Sequence, residues 1–221
     1  ALAEFDDKAI PDLISRAVEL SWVTEEDHYY AGESSNYDFL GACTSFDPKY
    51  YSALVESILE SIRERDEYNE PSKGMLYLLQ GMEDLFAKTV LEDLGSPEET
   101  EFILKILDGM DWKPDTDELR APYLIAKRDW KSLVELGEPA VDQLIRVLNG
   151  GPEDDEMVHC ATDALVKIGE LAVEPLVKAL EGGNFNAAGA LEKLGWKPET
   201  DELRVVFLLA KEDLDGCSKL G

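Results

Sequence analysis

Histidine is close to absent from this sequence: His28 and His159 are the only two in 221 residues. That scarcity weighs against general acid-base, metal and nucleophilic chemistry, which draw on imidazole more than on most side chains. His28 stands beside Glu25, Glu26 and Asp27 and reads as part of a solvated acidic turn more readily than as a metal ligand, because such clusters are unspecific. His159 adjoins Cys160, and neighbours in sequence point apart on a helix, so they do not make a nucleophile pair. Neither a phosphate loop nor a Gly-x-Ser-x-Gly elbow is present. No catalytic residue, metal ligand or cofactor is expected.

Cysteine is scarce too. Cys43, Cys160 and Cys217 are odd in number and far apart, which excludes a disulfide framework or a zinc site and reads as reduced thiols in a cytoplasmic protein. No run approaches the roughly 18 apolar residues that span a bilayer, and the first residues lack the basic and apolar segments of a signal peptide. The start at Ala1 without Met leaves room for a trimmed or excised piece.

Positive charge is the third shortage, with 21 Lys and Arg against 48 Asp and Glu and a net charge of -27 spread along the chain. A nucleic-acid binder must supply cations to displace condensed counterions, and an anionic membrane surface repels such a chain for the same reason. Neither nucleic acid nor membrane is an expected partner. The charge favours solubility first and, more sharply, a basic protein partner.

What is present is a repeat. Trp112-Lys113-Pro114-Asp115-Thr116-Asp117-Glu118-Leu119-Arg120 returns 84 residues later as Trp196-Lys197-Pro198-Glu199-Thr200-Asp201-Glu202-Leu203-Arg204. A shorter period of 32 carries Leu136-Gly137-Glu138-Pro139-Ala140-Val141 to Ile168-Gly169-Glu170-Leu171-Ala172-Val173. In both copies glycine ends one helix and a short connection opens the next. Val141, Leu144, Ile145 and Leu148 form one apolar stripe, and Val173, Leu176, Val177 and Leu180 form its counterpart. Ala161, Ala164, Leu165 and Ile168 make a small-residue stripe on the helix before, and Ala187, Ala188, Ala190, Leu191 and Leu194 restart the pattern after Gly182-Gly183. Pro114 and Pro198 mark breaks, after which Thr116 and Thr200 cap the next helix. Trp112 and Trp196, being equivalent, are expected to pack between helices, and Arg120 and Arg204 to pair with a nearby acid or helix end.

The segments 136–141 and 164–180 resemble the HEAT-like repeats also found in phycobilisome lyases, over about residues 100 to 221. The resemblance implies an α-solenoid whose second helices line a concave binding surface; the periodicity by itself establishes repeated helix pairs. Helical iron enzymes of such repeats use His-Glu pairs as ligands, and this chain has no His-Glu dipeptide.

Upstream the signal fades. Leu13, Ile14, Ala17 and Val18 after Pro11, then Leu54, Ile58 and Ile62, then Met75, Leu78, Leu79, Met82, Leu85 and Phe86 suggest further amphipathic helices. Residues 24–48 lack a helical period and are rich in tyrosine, which reads as a contact loop. The expected fold is therefore all-α: an irregular helical region over 1–73 with its Tyr-rich loop, then a solenoid of HEAT-like helical hairpins over 74–221. The expected function is a non-enzymatic scaffold or adaptor that binds a protein on the concave face. Asp142, Gln143, Arg146, Glu174 and Lys178 are its candidate contacts, with Tyr29, Tyr30 and Tyr37 contributing from the loop. The alternative is a tetrapyrrole (bilin) lyase or chaperone-like ligand handler. Leu220-Gly221 corresponds to Leu136-Gly137, so the chain stops at a repeat boundary, as a fragment of a longer array would.

Overall fold

A computed structural model describes residues 9–22, 39–40, 48–64, 70–92, 96–149 and 155–211. Among them every regular element is a helix, as the 3.6-residue spacing of apolar side chains dictates. No helix among the described residues is long and apolar enough to cross a membrane. The chain forms two compact units, Ala1–Pro114 and Asp115–Gly221. The helix Lys73–Leu78 spans the expected boundary between 73 and 74. Repeat similarity decays gradually upstream, whereas compactness is decided by packing, and the helices on both sides of residue 74 pack together.

In the first unit α1 (Ile10–Ser21) packs on α2 (Tyr51–Arg63) and α3 (Lys73–Leu78), α2 packs on α4 (Glu83–Glu92), and α4 packs on α5 (Pro97–Gly109). The apolar stripes read from sequence supply this core: Ala17, Leu54, Ile58, Ile62, Met75, Leu78 and Phe86 are fully buried. The single helix expected across Met75–Phe86 is two. Gly81 takes φ 85° between them, a left-handed angle that costs glycine little, and its N–H is held by Glu83 at 2.9 Å. Ser72 and Ser96 cap α3 and α5 through the N–H groups of Met75 and Glu99, which satisfies donors that a helix start leaves open.

The second unit holds α6 (Asp117–Ala126), α7 (Trp130–Leu136), α8 (Glu138–Val147), α9 (Asp155–Ile168), a 3-10 turn (Gly169–Ala172), α10 (Val173–Glu181), α11 (Asn186–Lys193) and α12 (Asp201–Ala210). These helices lie in two rows. In one, α7, α9 and α11 touch in succession; in the other, α6, α8, α10 and α12 do, and α8 meets α9 and α10 meets α11 across the rows. Leu144 on α8, Leu148 at its C-terminal cap, and Leu176 and Leu180 on α10 are each fully buried, so leucines 32 residues apart are buried alike. Ala161, Ala164, Ala187, Ala188 and Ala190 are buried at the facing positions, where small side chains let helices approach closely. Each buried leucine contributes about 1.5–3 kcal/mol of apolar transfer.

Neighbouring helical hairpins are also joined by polar contacts. Asn184, buried in the turn after α10, donates to the carbonyl of Ile145 at 3.3 Å, and Asn186 donates to that of Leu148 at 2.6 Å. The end of α8, whose last carbonyls have no helical partner, is thus closed by side chains from the following hairpin.

Candidate functional site

The 84-residue repeat builds the local frame. α5 and α11 both end in a left-handed residue, Asp111 at φ 51° and Gly195 at φ 73°. The N–H groups of Trp112 and Trp196 return at 3.0 Å to the carbonyls of Leu107 and Leu191, which is the Schellman closure of a helix end. After each tryptophan a Lys-Pro pair keeps the chain extended, and the next helix opens at Asp117 or Asp201. Arg120 then pairs with Asp117 at 3.0 Å and Arg204 with Asp201 at 3.2 Å, the pairing with a nearby acid expected for both. Thr200 caps α12 through the N–H of Leu203 at 3.2 Å, but Thr116, with the same extended backbone, makes no side-chain cap bond.

The two tryptophans differ in their surroundings. Trp112 is buried, and its indole N–H donates to Asp84 on α4 at 2.7 Å. In the second copy the position 84 residues after Asp84 is Ile168, which offers no carboxylate. Trp196 is half-buried and packs edge-on against Phe207, with ring centres 5.6 Å apart. It is core on one side only, a correction to its expected role as buried packing.

On its other side Trp196 lines an open groove of about 380 Å³ with Val173 and Val177 of α10 and Leu203 of α12. Glu170 from the 3-10 turn, Glu174 from α10 and Glu199 from the Lys-Pro connection complete its lining. The apolar lining residues are half-buried and the carboxylate-bearing ones exposed. α12 buries none of its residues fully, and Val205 and Leu209 on it are 38% and 49% exposed.

Of the candidate contacts, Asp142, Arg146, Glu174 and Lys178 are exposed and Gln143 is half-buried. Glu174 and Lys178 form an ion pair at 2.7 Å. Its hydrogen bond holds Lys178 above the usual ammonium range, and Asp142 and Glu181 add to the effect. The same contact holds Glu174 below the usual carboxylate range. Glu174 thus belongs both to the groove lining and to the ion pair with Lys178, and α10, which carries both, packs on α8, which carries Asp142. Tyr29, Tyr30 and Tyr37, with His28, Cys43 and Cys217, lie outside the described residues. His159 is exposed 3.6 Å from Asp163, and Cys160 beside it is half-buried.

Glu170, Glu199, Trp196 and Leu203 were not among the sequence candidates for contact. Repetition marks Trp196 as structurally equivalent to Trp112, but whether that place is covered depends on the helix packed beside it. The legible signal was the loss of the Asp84 carboxylate at Ile168. Among the described residues no three of His, Cys, Asp and Glu lie close enough to hold a metal ion. What the arrangement can do is bury an apolar side chain and hold cations beside it.

Comparison with known proteins finds no matching family model, characterised protein or solved structure.

Proposed function

We propose that this chain is a non-catalytic interaction module. Its second unit is a short HEAT-like α-solenoid, and a basic protein partner lies along the face carried by α8, α10 and α12. The two rows of helices in order along the chain, with equivalent leucines buried at a 32-residue interval, support the solenoid. Stacked helical repeats expose extended surfaces whose ordinary use is binding.

The observation that carries the reading is the groove: half-buried apolar side chains around Trp196 beside the exposed carboxylates of Glu170, Glu174 and Glu199, with Glu174 also paired to Lys178. A tetrapyrrole brings its own carboxylates and needs cations to receive them, so the acidic lining favours the interaction reading over ligand handling.

Affinity capture from native extract with the immobilised chain tests this, using wild type beside a D142K/E174K variant. The expected outcome is a stoichiometric partner recovered by wild type and lost with the variant. Equal recovery by both contradicts the assigned face, and a stoichiometric absorbance change with a bilin or haem contradicts the functional class.

A further inference from the structure

We propose that the groove seats one bulky apolar side chain of a basic peptide segment, with Glu170, Glu174 and Glu199 gripping Lys or Arg residues on either side of that anchor. This rests on the interaction reading and names the chemistry of the partner.

The groove, at about 380 Å³ and open to solvent, has room for one aromatic or large aliphatic side chain together with the backbone that carries it. Its lining supplies the partners such an anchor needs: an indole, itself braced edge-on by Phe207, with two valines and a leucine that remain only half-buried. An apolar anchor whose pocket is desolvated on binding is the kind of contact that carries most of the binding energy of an interface.

Charge selects the flanks. The three carboxylates come from three different elements and do not converge on a metal site among the described residues, so they suit a cation spread along a chain and not a single ion. Glu174 already holds Lys178 at 2.7 Å, and an incoming guanidinium can take its place with two parallel N–H bonds, a geometry an ammonium cannot match. A strongly acidic chain, at -27 overall, steers such a segment inward and keeps second copies apart. At the equivalent place in the first copy, Trp112 is buried and bonded to Asp84, which leaves the second copy as the receiving one.

The probe is a fluorescein-labelled peptide, Lys-Arg-Ser-Phe-Ser-Arg-Lys, read by anisotropy at an ionic strength of about 0.15 M, where the Debye length is about 8 Å and distant charges are screened. Saturable binding is expected, weakened about tenfold or more by replacing the peptide's Phe with Ser, a loss near 1.4 kcal/mol. The exposed triple reversal E170K/E174K/E199K is expected to weaken it at least as much, and V177Q to weaken it without touching charge. A control reversal of the same size on other exposed carboxylates, E118K/E135K/E156K, is expected to change it less than about threefold.

Equal losses from the two triple reversals would mean attraction to net charge alone and overturn the proposal. So would undiminished binding of the Ser peptide, or a wild-type dimer in sedimentation that E170K/E174K/E199K turns into monomer, which would make a second copy the occupant. A natural partner that survives E170K/E174K/E199K but is lost with D142K overturns the groove while leaving the interaction reading intact. A wild-type chain that captures no partner, yet binds the peptide as described, contradicts the broader reading and supports the groove.

Discussion

Asp111 and Gly195 stand 84 residues apart and turn the backbone alike, at φ 51° and 73°, each sending the N–H of the following tryptophan back to the carbonyl five residues before it. A left-handed conformation costs a residue with a Cβ about 1–2 kcal/mol, less for Asp than for most. Gly195→Ala is therefore expected to destabilise the chain by about 1–2 kcal/mol. Asp111→Gly is expected to be neutral or stabilising by under about 1 kcal/mol, because relief of the turn is partly offset by a freer unfolded chain. Urea midpoints of the two variants check both signs; equal destabilisation would mean that the two turns are not equivalent.

Leu144 and Leu176 occupy matching buried sites 32 residues apart. Truncation of either to Ala is expected to cost about 2–5 kcal/mol, with similar values for the pair. Leu171→Ala and Phe185→Ala, at side chains 56% exposed, are expected to stay within about 0.5 kcal/mol. The comparison is read from chemical denaturation, and a small cost at Leu176 alone would argue against repeated packing.

Asn184 and Asn186 close the end of α8 from the next hairpin. Asn184 is buried, so Asn184→Ala leaves the Ile145 carbonyl without its donor at a cost of about 1–3 kcal/mol. Asn186 is exposed and water can replace it, so Asn186→Ala is expected to cost less. Amide exchange in α8 should quicken in the first variant well beyond the second.

Lys193 joins Asp163 at 2.8 Å, linking α9 to α11. The Lys193 hydrogen bond is the main reason that the Asp163 carboxyl lies below its ordinary value, and the charges of Lys193, His159 and Lys167 act in the same direction. A folded-state value below the unfolded one stabilises the fold above the unfolded pKa, about 3.9 for Asp, and that stabilisation is lost as pH falls through the folded value. Lys193→Gln is therefore expected to be less stable than wild type at neutral pH, with the gap closing below about pH 3.9. A gap that persists in acid would assign the effect of Lys193 to packing.

The parts of this fold that sequence made legible are those set by short-range rules. The stripe Val141, Leu144 and Leu148 and its copy on α10 follow from helical spacing, and the turns at Gly137 and Gly169, with φ 72° and 83°, follow from glycine's tolerance of that angle. Helix breaks inside an apolar run were not legible: Met75 to Phe86 keeps a helical period, yet Gly81 divides it. Of the groove lining, only Glu174 was among the contacts expected from sequence. Asp142, Glu174 and Lys178 come from helix faces that periodicity assigns, whereas Trp196 and Leu203 meet Val173 and Val177 through the packing of α12 on α10, a relation between distant segments that no local pattern encodes. The equivalence of Trp112 and Trp196 concealed the difference, since the neighbour that distinguishes them, Asp84 in one copy, belongs to another helix.

The most direct measurement is a methyl and indole NMR titration of the chain with the Lys-Arg-Ser-Phe-Ser-Arg-Lys peptide. Shifts concentrated at Val173, Val177, Leu203 and the Trp196 indole, with Leu133 and Trp112 unmoved, are the predicted result. Shifts centred elsewhere, or none at saturating peptide, would contradict a binding groove at the meeting of α10 and α12.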